Sequence, residues 1–406
     1  MSNFSFVSVS DLVVKKEASI QTGPFGTQLK ASDYVSEGYP VINVRNIGYG
    51  NEKDASLEYI NNEIAHKLRQ HKLEKHDIVF GRKGAVDRHL LILHSHANYY
   101  QGSDCIRLRI STPKVISKFL SYFFQTEGHK RWMEAQGSFG ATMGSLNQGI
   151  INRINFPLPP LPIQRKIAAI LSAYDELIEN NNRRIAILEK MAEEIYREWF
   201  VRLRFPGHEK VKVVKGVPEG WEVKKVKDVV DRKPFGKIYR ESELSEEGKI
   251  VVIDQSTKDY LGFYDGEPEH IASIDEPIIL FGDHSCKMLL MIKPFSLAEN
   301  VVPFKSRHKI PIVYLYYLVH NLIETTEYKR HWTELTNKYV FIPTKHLQES
   351  FSEFAKPLLL KKDKLVASTN SLKKSRDLLL SRLISGKLDV ENLDIAFPPG
   401  MEEERS

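Results

Sequence analysis

The sequence predicts an α+β protein: two globular domains in a pseudo-twofold repeat, joined by two long helices that form an antiparallel coiled coil. Two observations carry this expectation. Short segments recur at matching points of the 406-residue chain, and each half ends in a long heptad-patterned stripe. A duplicated unit sets the fold before any motif does, and a period of about half the chain means two large domains, not a solenoid.

The repeat runs in order. Gly23-Pro24-Phe25-Gly26 opens the first half and Pro234-Phe235-Gly236 the second. A strand-like run ending in Phe-Gly follows in each, Asp77 to Gly81 and Ile278 to Gly282. Lys130-Arg131-Trp132 is answered by Lys329-Arg330-His331-Trp332. These markers place a first domain at 1–160, a first long helix at 161–204, a second domain at 205–344, a second helix at 345–390 and a tail at 391–406.

Within 1–160, Pro40 to Val44, Asp77 to Phe80, His89 to Leu93 and Asp104 to Ile110 carry the β-branched and aromatic enrichment of strands bounded by turn residues. One helix is expected over about Val115–Gln136, from Ile116, Phe119, Leu120, Phe123 and Phe124 at helical spacing. The proline run from Phe156 to Pro162 is stiff and extended, with Pro162 placed to start the next helix.

The stripe from about Ile163 to Leu203 repeats every seven residues. Ile167, Tyr174, Asn181, Leu188 and Ile195 hold one position, and Ile163, Ile170, Leu177 and Met191 the other, with Arg184 breaking it. At 1.5 Å per residue it would reach roughly 60 Å. Shifted by 184 residues it falls on Leu347, Phe351, Phe354, Leu358, Leu365, Leu372, Leu379 and Leu383, with Pro357 expected to kink or interrupt the early part. Asn181 is polar in mid-seam where the second stripe has Leu365, a placement that can fix register. Each helix could pack on its own domain alone; two stripes of equal length, each trailing a globular unit, favour pairing with each other.

Composition narrows the function. Lys+Arg 58 against Asp+Glu 52 gives a net charge of +6, which permits nucleic-acid binding without demanding it. Two cysteines, Cys105 and Cys286, support neither a disulfide framework nor a cysteine zinc site. No basic-then-apolar leader is visible, and the longest apolar run, Ile312 to Val319, is too short for a bilayer, so a cytoplasmic protein without membrane contact is expected.

Catalytic patterns are missing: Ser385-Gly386-Lys387 lacks the rest of a phosphate loop, and no Gly-x-Gly-x-x-Gly, His-Glu-x-x-His or Gly-x-Ser-x-Gly occurs. Glu247-Gly248-Lys249 with Asp231 imitates a nuclease triplet only by three residues in an acidic turn. His94 and His96 could share one side of a strand but lack a third ligand. No catalytic residue and no metal site is expected.

What the chain does carry is polar, basic loops at matching places. In the first half, Thr22, Thr27, Lys30, Arg45, Asn46, Arg82, Lys83, Arg88, Ser138 and Thr142 are candidate DNA contacts. In the second they are Lys233, Lys237, Arg240, Gln255, Lys258, His284 and Lys287. Arg and Lys read guanine edges, Asn and Gln read adenine, and hydroxyl and backbone N–H groups hold phosphate. Ile167, Ile170, Tyr174, Asn181, Leu188, Ile195, Leu358, Leu365, Leu372 and Leu379 are the candidate helix-pairing residues.

These residues resemble the specificity subunit of type I restriction-modification systems. The most specific segment is Ser138-Phe139-Gly140-Ala141-Thr142-Met143-Gly144-Ser145-Leu146-Asn147, followed by Ile154 to Leu161, Gln164 and a helix with Asp175. The family's usual Glu-Gln at the helix start is Ile163-Gln164 here and Leu347-Gln348 in the second copy, which also lacks the Gly-Ser/Ala-Thr segment.

The resemblance implies a non-catalytic subunit whose two target recognition domains each read half of a split, asymmetric DNA sequence. Its helices would space the halves and dock two methyltransferase subunits and, through them, restriction subunits. S-adenosylmethionine, ATP and Mg²⁺ would belong to those partners, with no cofactor on this chain. A non-catalytic coiled-coil adaptor for protein partners is the alternative.

Overall fold

The structure is a computed structural model that describes residues 4–53, 56–137, 144–256, 258, 260–325, 327 and 329–397. The chain divides into two compact units: residues up to Glu179 together with those from Thr369 onward, and Asn180–Ser368. Both long helices run from one unit into the other, so each unit is built from a globular body and one half of each helix.

The first unit opens with an antiparallel ribbon in which Ser5–Ser8 pairs with Asn155–Leu158. A short helix follows, Val9–Val14, closed by a capping box: Ser8 accepts from the Asp11 N–H and Asp11 from that of Ser8. A five-stranded sheet has the order Ala18–Thr22, Cys105–Ile110, Ile78–Gly81, His89–Leu91, Tyr49–Gly50. A four-stranded sheet has the order Tyr34–Val35, Glu58–Ile60, Tyr39–Ile42, Tyr100–Gln101.

Strand alternation explains how one strand serves two cores. Ile78 and Phe80 join Leu120, Phe124 and Phe156 on the helical side, and Val79 joins Ile42, Leu90 and Cys105 on the other. The single helix expected over Val115–Gln136 is instead two, Ser117–Phe124 and Glu127–Gly137. Thr126 breaks it: its hydroxyl donates to the Phe123 carbonyl at 2.7 Å and accepts from the His129 N–H. Both helices turn apolar faces to the same core, so their periodicities read as one.

The second unit repeats the order. Glu222–Lys225 pairs with Tyr339–Ile342; one sheet runs Val230–Arg232, Val301–Ser306, Ile278–Gly282, Met288–Met291, and another Gly262–Tyr264, Ile250–Ile253, Phe295–Leu297. The alternation recurs, with Ile279 and Phe281 in the helical core and Ile278 and Leu280 in the other. Helices Ile312–Val319 and Trp332–Asn337 complete it.

The first long helix spans Leu161–Tyr196 and closes with a π turn over Arg197–Val201. The second, Lys345–Ile384, continues through Pro357 without interruption. Within each unit the two helix segments run antiparallel. In the first, Ile167 and Leu171 pack with Leu380, Leu383 and Ile384, with Ile170 and Leu379 at the margin. Asp175 bridges there to Arg376 at 2.8 Å and to the Tyr122 hydroxyl at 2.6 Å. In the second, Ile195, Tyr196 and Trp199 surround Phe351 with Leu358, and Glu189 pairs with Lys362 at 2.6 Å. Asn181, Leu188 and Leu365 are buried, and Tyr174 and Leu372 half-buried.

Candidate nucleic-acid interface

In the first unit five loop segments, around Gly23, Ile42, Arg82, Gly102 and Gly144, stack against one another. Gly23 and Gly102 make this possible: a Cβ on Gly23 would overlap the Gly102 carbonyl, and one on Gly102 would come within 2.6 Å of the Ile42 carbonyl. The 82–88 loop is pinned by backbone bonds on both sides, Arg82 N–H to the Asp104 carbonyl (2.8 Å) and Leu146 N–H to the Arg82 carbonyl (2.8 Å). Gly84 N–H reaches the Gly144 carbonyl, and Lys83 pairs with Ser145.

That frame presents cations over aromatic rings. Arg82 lies 5.6 Å from the ring of exposed Phe25, and Arg88 (5.7 Å) and Lys130 (4.8 Å) lie over Tyr49. Tyr49 donates its hydroxyl to Asp87 at 2.6 Å, and burial with this carboxylate raises its pKa, keeping it a phenol. Lys83 faces Asp104 at 3.3 Å with both side chains about half exposed. Such a pair holds under about 1 kcal/mol and yields readily to a phosphate oxygen. Exposed Arg45 pairs with Glu58 at 3.0 Å. Thr22 accepts from Gln148 Nε2 at 2.9 Å, and exposed Thr27 and Lys30 occupy the loop after Phe25.

Ser138 and Thr142 lie outside the described residues, but the chain that follows them, Gly144–Leu146, sits on the Arg82 loop. Asn46 is corrected: fully buried, its side chain accepts from the Asn43 N–H and closes a turn, so it is not on the surface. His94 and His96 stand on a 3₁₀ turn, not a strand, and His96 caps that turn by accepting from the Leu93 N–H while facing Glu52 at 3.3 Å. Phe25, Tyr49, Lys130 and Gln148 belong to the cluster and were not chosen from sequence. Tyr49 carries a signal, an aromatic flanked by Gly48 and Gly50; Lys130 and Gln148 carry none outside the fold.

In the second unit Gln255, Lys258, His284 and Lys287 come together. Gln255 Oε1 accepts from the His284 N–H at 2.9 Å, and Lys287 Nζ donates to the Lys258 carbonyl. Lys233 pairs with Asp231 at 2.6 Å and Lys237 with Glu243 at 3.3 Å, and exposed Arg240 starts the turn that Glu243 closes. The expectation of matching basic loops needs correction at one point. Asp283 N–H donates to the Asn300 carbonyl as Arg82 does to Asp104, so a buried carboxylate stands at the Arg82 position. Asp283 accepts from the His331 (3.0 Å) and Trp332 (2.8 Å) N–H groups and caps that helix.

Among the described residues no group of three or more His, Cys, Asp or Glu could hold a metal ion, and no helix is long and apolar enough to cross a membrane. Residues 3–190 match the family model of the type I restriction modification DNA specificity domain. The MjaIX specificity subunit of Methanocaldococcus jannaschii, a type I restriction enzyme component, is 28% identical over 69% of this chain and 71% of its own. The MjaVIII specificity subunit of the same organism is 27% identical over 71% and 74%. The crystal structure of a type I restriction-modification S subunit from M. genitalium shares the fold at TM-score 0.60 and 17% identity, covering 95% of this chain and 97% of that one. With its duplicated body, paired helices and a specificity domain matched over residues 3–190, the chain is similar to the specificity subunits of type I restriction-modification systems.

Proposed function

We propose that this chain reads a bipartite, asymmetric DNA sequence, each unit reading one half. The supporting observation is the stacked loop frame of the first unit, which sets Arg82, Lys83 and Arg88 beside Phe25 and Tyr49 on one surface. Guanidinium groups on aromatic rings are preset for base edges, and the exposed lysines for phosphates. In the second unit Gln255, Lys258, His284 and Lys287 take that part, a different chemistry suited to a different half-site. The paired helices dock two methyltransferase subunits and, through them, restriction subunits. S-adenosylmethionine, ATP and Mg²⁺ act in those partners, in the cytoplasm, and this chain performs no catalysis.

The test replaces residues 205–344 by the corresponding segment of a relative with another target and maps methylated sites across a genome. One half-site should change while the other persists; two unchanged half-sites overturn the reading. Binding by the assembled methyltransferase should also weaken steeply with salt, as phosphate contacts require, where an adaptor for protein partners would show no DNA affinity to weaken.

A further inference from the structure

The two copies differ at one sheet edge. In the first unit His89–Leu91 is covered by Tyr49–Gly50, which pairs in parallel with His89 and Leu90, and the His89 N–H donates to the Gly48 carbonyl at 3.1 Å. Gly50 lies against the neighbouring helix so closely that a Cβ would meet Gln125 Nε2 at 2.5 Å and Ser121 Oγ at 3.1 Å. Among the described residues of the second unit the equivalent strand, Met288–Met291, is the outermost of its sheet. The connection that carries the covering segment, 15 residues over 43–57, is shortened to 8 residues over 254–261.

Where Tyr49–Gly50 would lie, the second unit has a groove of about 420 Å³, within the ~300–1,000 Å³ range of ligand sites. The registers Phe80↔His89 and Phe281↔Met288 put Met288 at the His89 position and Lys287 at that of Arg88. Tyr316 and His320, spaced like Ser121 and Gln125 on the equivalent helix, line the groove, together with Glu189 and Glu193. The Met291 end lies toward the second long helix, where Lys293 pairs with Asp363. The edge strand is Met-Leu-Leu-Met, with no lysine, proline or bulge to discourage pairing.

We propose that this edge and groove dock an extended segment of a partner protein, added as a parallel strand along Met288–Met291. The occupant carries an aromatic–glycine step, its ring beside Lys287 as Tyr49 lies beside Arg88. A basic residue follows toward the Met291 end, where Glu189 and Glu193, paired within the chain to Lys362 and Arg197 at 2.6 Å each, offer it two carboxylates to share. Main-chain bonds supply affinity and the alternate side chains specificity. The site borders the DNA-reading loops at Lys287, but it is built on the edge strand and the groove and is tested without DNA.

The probe is the nonapeptide Arg-Asn-Ile-Gly-Tyr-Gly-Asn-Glu-Lys, copied from positions 45–53, added to the full chain and followed by amide hydrogen exchange. Exchange across Met288–Met291 should slow saturably by about tenfold or more, with His89–Leu91 unchanged because its own chain already covers it. N-methylation of the second glycine should abolish the effect, and a Glu189→Gln, Glu193→Gln double variant should bind several-fold more weakly. No slowing at about 1 mM peptide, slowing that survives N-methylation, or equal slowing at His89–Leu91 overturns the proposal. Protection that appears without peptide and grows with protein concentration also overturns it, by making a second copy the donor.

Discussion

Gln164 and Gln348 are the same residue of the repeat, and the structure assigns them different energetic weight. Each donates from Nε2 to a proline carbonyl two residues before its helix, Pro159 or Pro343, at 2.8 Å. Gln164, fully buried, also donates to the Lys114 carbonyl and accepts the Ile116 N–H, both at 2.9 Å. It thereby ties the start of helix Ser117–Phe124 to the start of the first long helix. A buried bond is worth about 1 kcal/mol net, and each buried group left unpaired costs about 1–3 kcal/mol. Gln164→Leu should therefore cost about 3–5 kcal/mol and Gln348→Leu about 1–2 kcal/mol. Urea denaturation compares the totals, and amide exchange at Ile116 locates the loss: it should rise sharply in the Gln164 variant only. Equal destabilisation by the two substitutions, or an unmoved Ile116 amide, would refute the reasoning.

Three further outcomes follow from the same geometry. Asp175 holds both Arg376 and the Tyr122 hydroxyl, so Asp175→Leu should destabilise the first unit by about 2–3 kcal/mol, and a double-mutant cycle with Arg376→Met should show coupling near 1 kcal/mol. His89 and His129 are each pushed down to about 3 by burial, with His129 adding repulsion at His89. Because the unfolded imidazoles take up protons below about 6.5, stability is lost as pH falls from there toward 3. The loss between pH 7 and 5 should be about 2 kcal/mol per histidine in thermal or urea unfolding, and a His89→Asn, His129→Asn variant should flatten the profile. Arg82→Ala should weaken and blur recognition of the first half-site, while Lys83→Ala should weaken binding to all sequences and reduce the salt slope by about 1 in a DNA titration of the assembled methyltransferase.

The scaffold was largely legible in the chain. Long heptad stripes report pairing because only an interface keeps one face apolar over so many turns, and Phe-Gly at 80–81 and 281–282 marks the same strand end twice. Two details were illegible for physical reasons. The break at Thr126 is hidden because both helices face one core, and Pro357 reads as a stop although the helix passes through it. Pairing across the fold also decides which polar residue is free to act. Asn46 in sequence is one more amide in a polar loop; in the fold it is a turn closure with no exposed surface.

The Arg82 and Asp283 positions show why recognition is harder to read than architecture. Both lie one residue after the same Phe-Gly, and both send an N–H to the same neighbouring strand end, the Asp104 or Asn300 carbonyl. The backbone is therefore conserved between the copies while the side chain is released to do different work. In the first unit the arginine leans on Phe25, outside the core, and costs the fold little if changed. In the second the carboxylate is spent on the helix start at His331–Trp332, which in the first unit is supported by Thr126 instead. On the proposed reading, a loop whose central residue is committed to structure leaves recognition to the flanking positions Gln255, His284 and Lys287. Substituting Asp283 should then damage the fold of the second unit before it alters any base preference, whereas substituting Arg82 should do the reverse in the first.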